Sequence, residues 1–436
     1  MTDTTSATDT DNPGNSYDAV VIGGGPAGSS TAALLARAGH RVLVVEREKF
    51  PRYHIGESLI PGCLDLVKEL GLWERLESLC FTKKYGGTLL WGATEGTWEF
   101  RFADGSDYEY SFQVRRADFD ALLLTRAREL GARVVEEATV KEVEFDGDRA
   151  TGLVYTVRGM DEPVRVSFRF LIDASGQQRL LGRRLGLVEW HEDLRNVAVW
   201  SYFQGCDFIE GENRAGDVVV ENMWQDDQPP GWFWFIPLHD GTVSIGYVTR
   251  TALLHDSGLT PDQLFEQQLA ASEEVKRLTR NATRVSAYRT LRDWSYECTR
   301  FHGPGWAAVG DAAAFVDPLF STGVTLAMRG ARELAPAIDQ ALRDPDQETN
   351  LLKAYEDGYR EFLGHVLTFV RFFYNIKMRK EQYWEGAQTI VDPQKLQPPK
   401  IDFAALLAGM TGTRPTPEMQ ADARAKTHDI HSRFTT

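Results

Sequence analysis

An α/β fold is predicted for this chain of 436 residues. A Rossmann-like dinucleotide-binding domain is interleaved with an antiparallel β-sheet substrate module, and a helical C-terminal region follows. Three observations predict it. First, YDAVVI at 17–22 reads as a buried strand that runs into the glycine turn GGGPAG and an Ala- and Leu-rich helix, and HRVLVVE supplies a second strand. Second, two more strand-like runs, RFLIDASG at 169–176 and GWAAVGDAA at 305–313, end in Asp, Ser or Gly where the chain turns toward a helix. Third, GGTLLWG, TWEFRF, YEYSFQV and most of 195–250 alternate as strands do, whereas the sequence from about 346 onward is amphipathic with helical spacing. The resulting division is a cofactor domain over 17–345, with the sheet module at about 86–112 and 190–285, and a helical region over 346–436.

Residues 1–16 are polar and acidic, with neither a basic start nor an apolar centre, and read as a disordered tail instead of a signal peptide. Gly23, Gly25 and Gly28, with Pro26 and Ala27 between them, form GxGxxG directly after the first strand. Glycines there allow a tight turn and close approach of a pyrophosphate to the helix N-terminus. Glu46, followed by Arg47, closes the second strand, where an acid binds a ribose hydroxyl pair and disfavours a 2′-phosphate. In IGESL, the residues Ile55, Gly56, Glu57 and Ser58 form a turn that can pass near a ring system. Asp311 ends the third strand-like run and is placed to reach a cofactor's ribityl hydroxyls; by itself such a Gly-Asp reads as a plain helix cap. In GWFWFIP at 231–237, alternation puts Trp232, Trp234 and Ile236 on one face and Phe233 and Phe235 on the other.

The bulk composition removes several classes. A net charge of −15 argues against nucleic acid or an anionic membrane as the main partner. No run of eighteen residues is apolar and uncharged, so no transmembrane helix is expected. Cys63, Cys80, Cys206 and Cys298 form no CxxC pair, and neither a metal site nor a disulfide framework is indicated, which suits a cytoplasmic protein. HExxH and GxSxG are both missing.

At this point the chain resembles the flavin-dependent halogenases, a branch of the FAD monooxygenase superfamily. The matching residues are GGGPAG (23–28), FPRYHIGESLIP (50–61), KYGGTLLWG (84–92), FQVRRADFD (112–120), FLIDASG (170–176), WFWFIP (232–237) and GDAAAFVDPLFSTGV (310–324). FYNIKMRKEQYWEGA (373–387) looks like the C-terminal helix of the phenol- and pyrrole-type branch. The glycine and Gly-Asp motifs are shared by all FAD monooxygenases; WxWxIP and the lysine before xGG are more specific.

The resemblance implies an FAD-binding domain of the aromatic-hydroxylase-like type, with the C-terminal helices covering the substrate site. It also implies a reaction: reduced flavin, oxygen and chloride or bromide give hypohalous acid, which travels to a lysine beside an aromatic substrate. Lys84 is that lysine, in preference to Lys83. Trp232 and Trp234 would keep substrate away from the flavin by bulk and dryness; by periodicity alone the same strand reads as core. Backbone N–H groups at Thr322 and Gly323, beside Ser321, would hold the halide, and Ser321 or Thr322 is equally an ordinary helix cap. Arg116 and Pro318 are expected at the flavin and Asp317 near its ring, with Arg115 a surface neighbour.

Two departures matter. Phe320 stands where tryptophan halogenases carry glutamate, which makes free tryptophan an unexpected substrate, and Thr325 replaces a histidine of the phenol and pyrrole branch. No second GxGxxG is present, so a partner flavin reductase is expected to supply the reduced cofactor. The substrate expected is a phenol or pyrrole, free or tethered to a carrier protein. IKMRK at 376–380 is the one evident basic run for docking, and such a run also reads as a solvated helix face. Two alternatives stay open: a hydroxylating monooxygenase, and a flavin-binding assembly partner without catalysis.

Overall fold

The computed structural model describes residues 15–223, 231–292 and 294–409. The tail expected at 1–16 lies outside the described residues except at its last two positions, where Ser16 already begins a strand.

Ser16–Ile22 (β1), Pro26–Arg37 (α1) and Val42–Val45 (β2) form the βαβ unit expected from the glycine turn. Helix α1 is buried from Pro26 to Ala36. Its Ala, Ser and Thr residues let it lie close on the sheet while other elements cover its outer side. The chain leaves this unit through Thr82–Lys84 (β3), Gly86–Leu90 (β4), Trp98–Arg101 (β5) and Ser111–Gln113 (β6). It returns through the helix Arg116–Glu129 (α2) to Arg133–Val135 (β7), and the hairpin of Ala138–Asp146 (β8) and Arg149–Val157 (β9) leads into Val164–Asp173 (β10). A second excursion comprises Asn196–Gln204 (β11), Val218–Met223 (β12), Gly231–Pro237 (β13) and Thr242–Arg250 (β14). Short helices within 251–279 follow, then Arg289–Arg292 (β15) and Trp306–Ala308 (β16). The described residues finish in four helices, Gly323–Arg343 (α3), Glu348–Phe373 (α4), Lys380–Val391 (α5) and Pro399–Leu407 (α6).

β16, β10, β1, β2 and β7 run parallel in that order. Ile22 lies opposite Asp173, and Asp173 opposite Ala308, so the three strand ends picked out by the sequence finish at one level. Ligands of open parallel sheets bind beyond the carboxyl ends of the strands.

The second sheet runs β11, β14, β13, β12, β4, β5, with β15 beside β11. It is mixed, not wholly antiparallel: β4 and β12 pair in parallel, because they come from separate excursions of the chain. The run at 108–114 contributes only β6, which pairs with β3 apart from this sheet. As alternation required, Trp232, Trp234 and Ile236 pack in one cluster with α4, α5 and α6, while Phe233 and Phe235 pack on the other face against Leu254, Leu264, Phe265 and Leu278.

The stretch 373–387 is not one helix. Helix α4 stops at Phe373 and α5 begins at Lys380. Ile376 and Met378 turn into the core between them, so the basic run at 376–380 is an interhelical turn and not a helix face.

Candidate active site

A cavity of about 740 Å³ opens beyond the strand ends and runs from the glycine turn to the tryptophan face of the second sheet. The glycines divide their work. Gly23 has φ +100°, and a Cβ there would lie 2.4 Å from the Ala174 carbonyl oxygen; one on Gly28 would lie 1.9 Å from that of Gly23. Gly25 has only the Arg52 guanidinium, at 3.6 Å, near the place of its missing Cβ, and it lines the cavity with Pro26 and Ala27. Gly25 is therefore where a pyrophosphate fits, whereas Gly28, expected at the cofactor, packs the helix against the turn and does not line the cavity.

Glu46 is buried, accepting from the Gly24 N–H at 2.6 Å and the Glu48 N–H at 2.8 Å. It sits with Arg47 on the cavity wall, as a ribose ligand would. Asp311 also lines the cavity. Burial pushes its carboxyl up to about 7 against the opposing pull of the Arg116 guanidinium. Arg116 grips Asp120 through Nε at 2.8 Å and Nη2 at 2.9 Å, and donates through Nη1 to the Ile55 carbonyl at 2.8 Å. It thereby fixes the 55–58 turn, where Gly56 has φ +97° and room for a Cβ is closed by Arg116 Nη1 at 2.9 Å. Arg115 is no mere surface neighbour. It reaches Asp240 at 2.6 Å and Thr242, lies 3.6 Å from Glu57, and stacks on Tyr202.

Glu57 is a carboxyl turned into the cavity wall. Tyr202 donates to Oε1 at 2.8 Å, the Ser244 hydroxyl lies close by, and burial raises its pKa to about 7 against the pull of both. A cradle lined by glycines, open at the place of the missing Gly25 Cβ and with an acid at the ribose position, fits a bound FAD. The residues that would hold it are Gly25, Pro26, Glu46, the 55–58 turn, Arg116, Asp311 and Pro318.

At the far end Trp232 and Trp234 line the cavity, 1% and 7% exposed. Their indole N–H groups donate to Tyr374 Oη at 2.9 Å and Ser244 Oγ at 3.3 Å, which fixes the ring planes. Trp200 continues the wall, 6.2 Å from Trp234 between centroids, and donates to Tyr53 Oη at 2.8 Å. Trp200, Tyr53, Tyr202 and Tyr374 were not singled out from the sequence. The alternation in NVAVWSYF marks Trp200 and Tyr202 as one face of β11, but nothing local says which face meets the cavity.

Helix α3 begins at Gly323, which lines the cavity with Ser321. Ser321 has φ +58° and its N–H donates to the Pro318 carbonyl at 3.0 Å. Thr322 supplies no side-chain cap, so the expected Ser/Thr cap is not formed. The first N–H groups of a helix have no intrahelical acceptor; Gly323 brings the start of this helix to the cavity, whereas Thr322 is buried and does not line it. Asp317 does not line the cavity: it is buried behind, bonded to the Leu319 N–H at 3.0 Å and Tyr374 Oη at 3.2 Å, and burial pushes it up to about 7.

Lys84, at the end of β3, is 1% exposed and outside the cavity lining. Its Nζ donates to Ser58 Oγ at 2.8 Å and to the Leu59 carbonyl at 3.3 Å. Burial lowers its pKa to about 7, with Asp217 and Cys63 pulling weakly the other way. Phe320 stacks on Phe369 at 5.1 Å and meets Phe373 at 5.0 Å, and Thr325 is buried against Gly62. The four cysteines are free, and among the described residues no cluster could hold a metal. Among them, too, no helix is long and apolar enough to cross a membrane.

Comparison with known proteins identifies the family. The tryptophan halogenase family model matches residues 18–109 and 104–406. A tryptophan 2-halogenase of Chondromyces crocatus is 35% identical over 378 residues, 85% of this chain and 70% of that protein. The 1H-pyrrole-2-carbonyl-[peptidyl-carrier protein] chlorinase of Pseudomonas fluorescens is 31% identical over 382 residues, 83% of this chain and 84% of that one. Among solved structures, the flavin-dependent brominase Bmp2 superposes with a TM-score of 0.83 at 26% identity, covering 96% of this chain and all of its own. The myxobacterial chondrochloren halogenase CndH gives 0.78 at 31% identity, covering 95% and 97%. The chain is an FAD-dependent oxidoreductase of the flavin-dependent halogenase family.

Proposed function

We propose that this enzyme halogenates an electron-rich aromatic ring, a phenol or a pyrrole, using halide held at the start of α3 and a buried lysine to deliver the halogen. The observation that carries this reading is spatial. Trp232 and Trp234 wall one end of the cofactor cavity, and Lys84 lies outside that cavity in a dry site reached past Ser58. A hydroxylase needs its substrate at the flavin, and an aromatic ring would have to displace those indoles. When bound, reduced FAD with oxygen supplies the oxidising equivalents for halide. The N–H groups of Thr322 and Gly323 bind the halide, the tryptophans exclude bulk, and the residues of the glycine turn hold the phosphates.

Lys84 then takes the halogen. A free amine reacts with hypohalous acid to give R–NHX and water; attack by the ring carbon on X restores the amine once the ring proton is lost. With burial holding the amine near 7, much of it is unprotonated at neutral pH. Ring halogenation is therefore expected to fall as pH drops below about 7. A partner reductase supplies reduced flavin. The pyrrole-carrier chlorinase among the relatives supports a tethered substrate, and the tryptophan 2-halogenase makes the indole a ring to test.

The test is a reaction with FAD, reductase, NADH, oxygen and halide, with monochlorodimedone as a trap beside a panel of phenols, pyrroles and indoles. Wild type and Lys84→Met should both consume halide, with aryl halide formed by wild type alone. An aromatic product carrying oxygen, with no halide consumed, would overturn the reading.

A further inference from the structure

One hydroxyl stands between the cofactor cavity and Lys84. Ser58 lines the cavity, is 5% exposed, and accepts from Lys84 Nζ at 2.8 Å. The lysine's other acceptor, the Leu59 carbonyl at 3.3 Å, belongs to the next residue, and the ring of Phe102 lies 5.3 Å from Nζ. Among the described residues no carboxylate bonds the amine. Asp217 acts on it only through space and is itself held by Arg101 at 2.9 Å, and the Cys63 thiol is the other titratable neighbour.

The register of this arrangement is locked. Ser58 bridges to Gln113 of β6, and the Leu59 N–H donates to the Phe112 carbonyl at 2.9 Å. β6 is also the strand that pairs with β3, with Lys84 opposite Ser111. Serine and lysine therefore sit on two sides of one short strand, 26 residues apart in sequence and fixed relative to each other by backbone bonds. Ser58 is equally fixed on its other side, because Glu57 and Gly56, which precede it, are held by Tyr202 and Arg116.

We propose that Ser58 is a positioning residue for Lys84: its hydroxyl fixes the amine at the edge of the cofactor cavity, where the halogen is handed over. The inference rests on the transfer role given to Lys84 above. The physical reason is that a lysine carries several freely rotating bonds, so an amine held by the Leu59 carbonyl alone, at 3.3 Å, samples more positions than one also held by Ser58 at 2.8 Å. Because the residue that carries the acceptor lines the cavity, the amine is held beside the place where an oxidant leaves it.

The test needs a readout beyond turnover. In protein labelled with ¹³C at the lysine ε-carbon, without cofactor, the Lys84 resonance is assigned by its loss in Lys84→Met and titrated in wild type, Ser58→Ala and Ser58→Thr. Losing an acceptor for the ammonium should lower the Lys84 midpoint by about one pH unit in Ser58→Ala, and the threonine hydroxyl should restore it. In the complete reaction, aryl halide formed per halide oxidised should fall about tenfold or more in Ser58→Ala and recover in Ser58→Thr. An unmoved midpoint, or an unmoved product ratio, overturns the proposal. Should the alanine variant misfold, Ser58→Gly makes the same comparison. Failure of the underlying reading is separable: a Lys84→Met enzyme that still forms aryl halide removes the transfer role whatever the titration shows.

Discussion

Lys84 carries a cost that its surroundings do not offset. An amine taken from water into a site with two neutral oxygen acceptors and an aromatic face is held near 7, well below its value of 10.5 in water. The unfolded chain therefore binds a proton at this position between about 7 and 10.5 that the folded chain does not. The penalty on folding is complete below about 7 and disappears as pH rises toward 10.5. Replacing the lysine with an apolar side chain of similar length removes it. Lys84→Met is expected to have a higher Tm than wild type, by a larger margin at pH 6 than at pH 9.5. Equal margins at both pH values would mean that the amine is not desolvated. A buried lysine that destabilises the fold calls for a chemical role and not a packing one.

At the scale of the element, β13 shows how one strand serves as core and wall. Its Phe face anchors the helices within 251–279, and its Trp face fills the space between cavity and C-terminal helices. Trp234 lies opposite Gly246 of β14, and a Cβ on that glycine would fall 2.1 Å from Trp234 Cζ2. The indole takes this position because its neighbour has no side chain. Gly246→Ala is expected to push the ring out of place at about 1–3 kcal/mol, typical of overpacking, seen as a lower Tm and altered tryptophan emission. Unchanged stability would show that the wall yields freely and could not exclude a substrate. The break between α4 and α5 has a similar cause. The Phe373 carbonyl accepts from Trp91 Nε1 at 2.8 Å, Asn375 from Tyr383 Oη at 2.8 Å, and Met378 from the Ala93 N–H at 2.7 Å. Carbonyls that would have continued the helix are taken by tertiary donors.

For the whole molecule, the cavity is the junction of both sheets and the 55–58 turn, so cofactor binding should tie these parts together. FAD is expected to raise Tm in a concentration-dependent way, by about 2.7 kcal/mol of stability at a hundredfold excess over Kd. Gly25→Ala separates folding from binding, since in the protein the added Cβ meets only the Arg52 guanidinium, at an ordinary contact distance of 3.6 Å, and the cofactor needs that room. It should match the Tm of the cofactor-free wild type and lose the FAD shift. A normal shift would move the pyrophosphate elsewhere.

The sequence by itself determined the βαβ unit, the three strand-like runs that turn toward helices after Ile22, at 169–176 and at 305–313, and the division of β13 into Trp and Phe faces. Each follows from a local rule, a glycine turn, a strand terminator or a period of two, that operates within a few residues. What only the tertiary structure decided were relations between distant segments. These are the parallel pairing of β4 with β12, the mixed sheet it makes, the break after Phe373, the links of Arg115 to Asp240 and Glu57, and the hydrogen bond from Lys84 to Ser58. Desolvation belongs with them. Lys83 and Lys84 are adjacent and identical, and one is exposed while the other is sealed, because the direction of a side chain from a strand of three residues is set by what packs on each face.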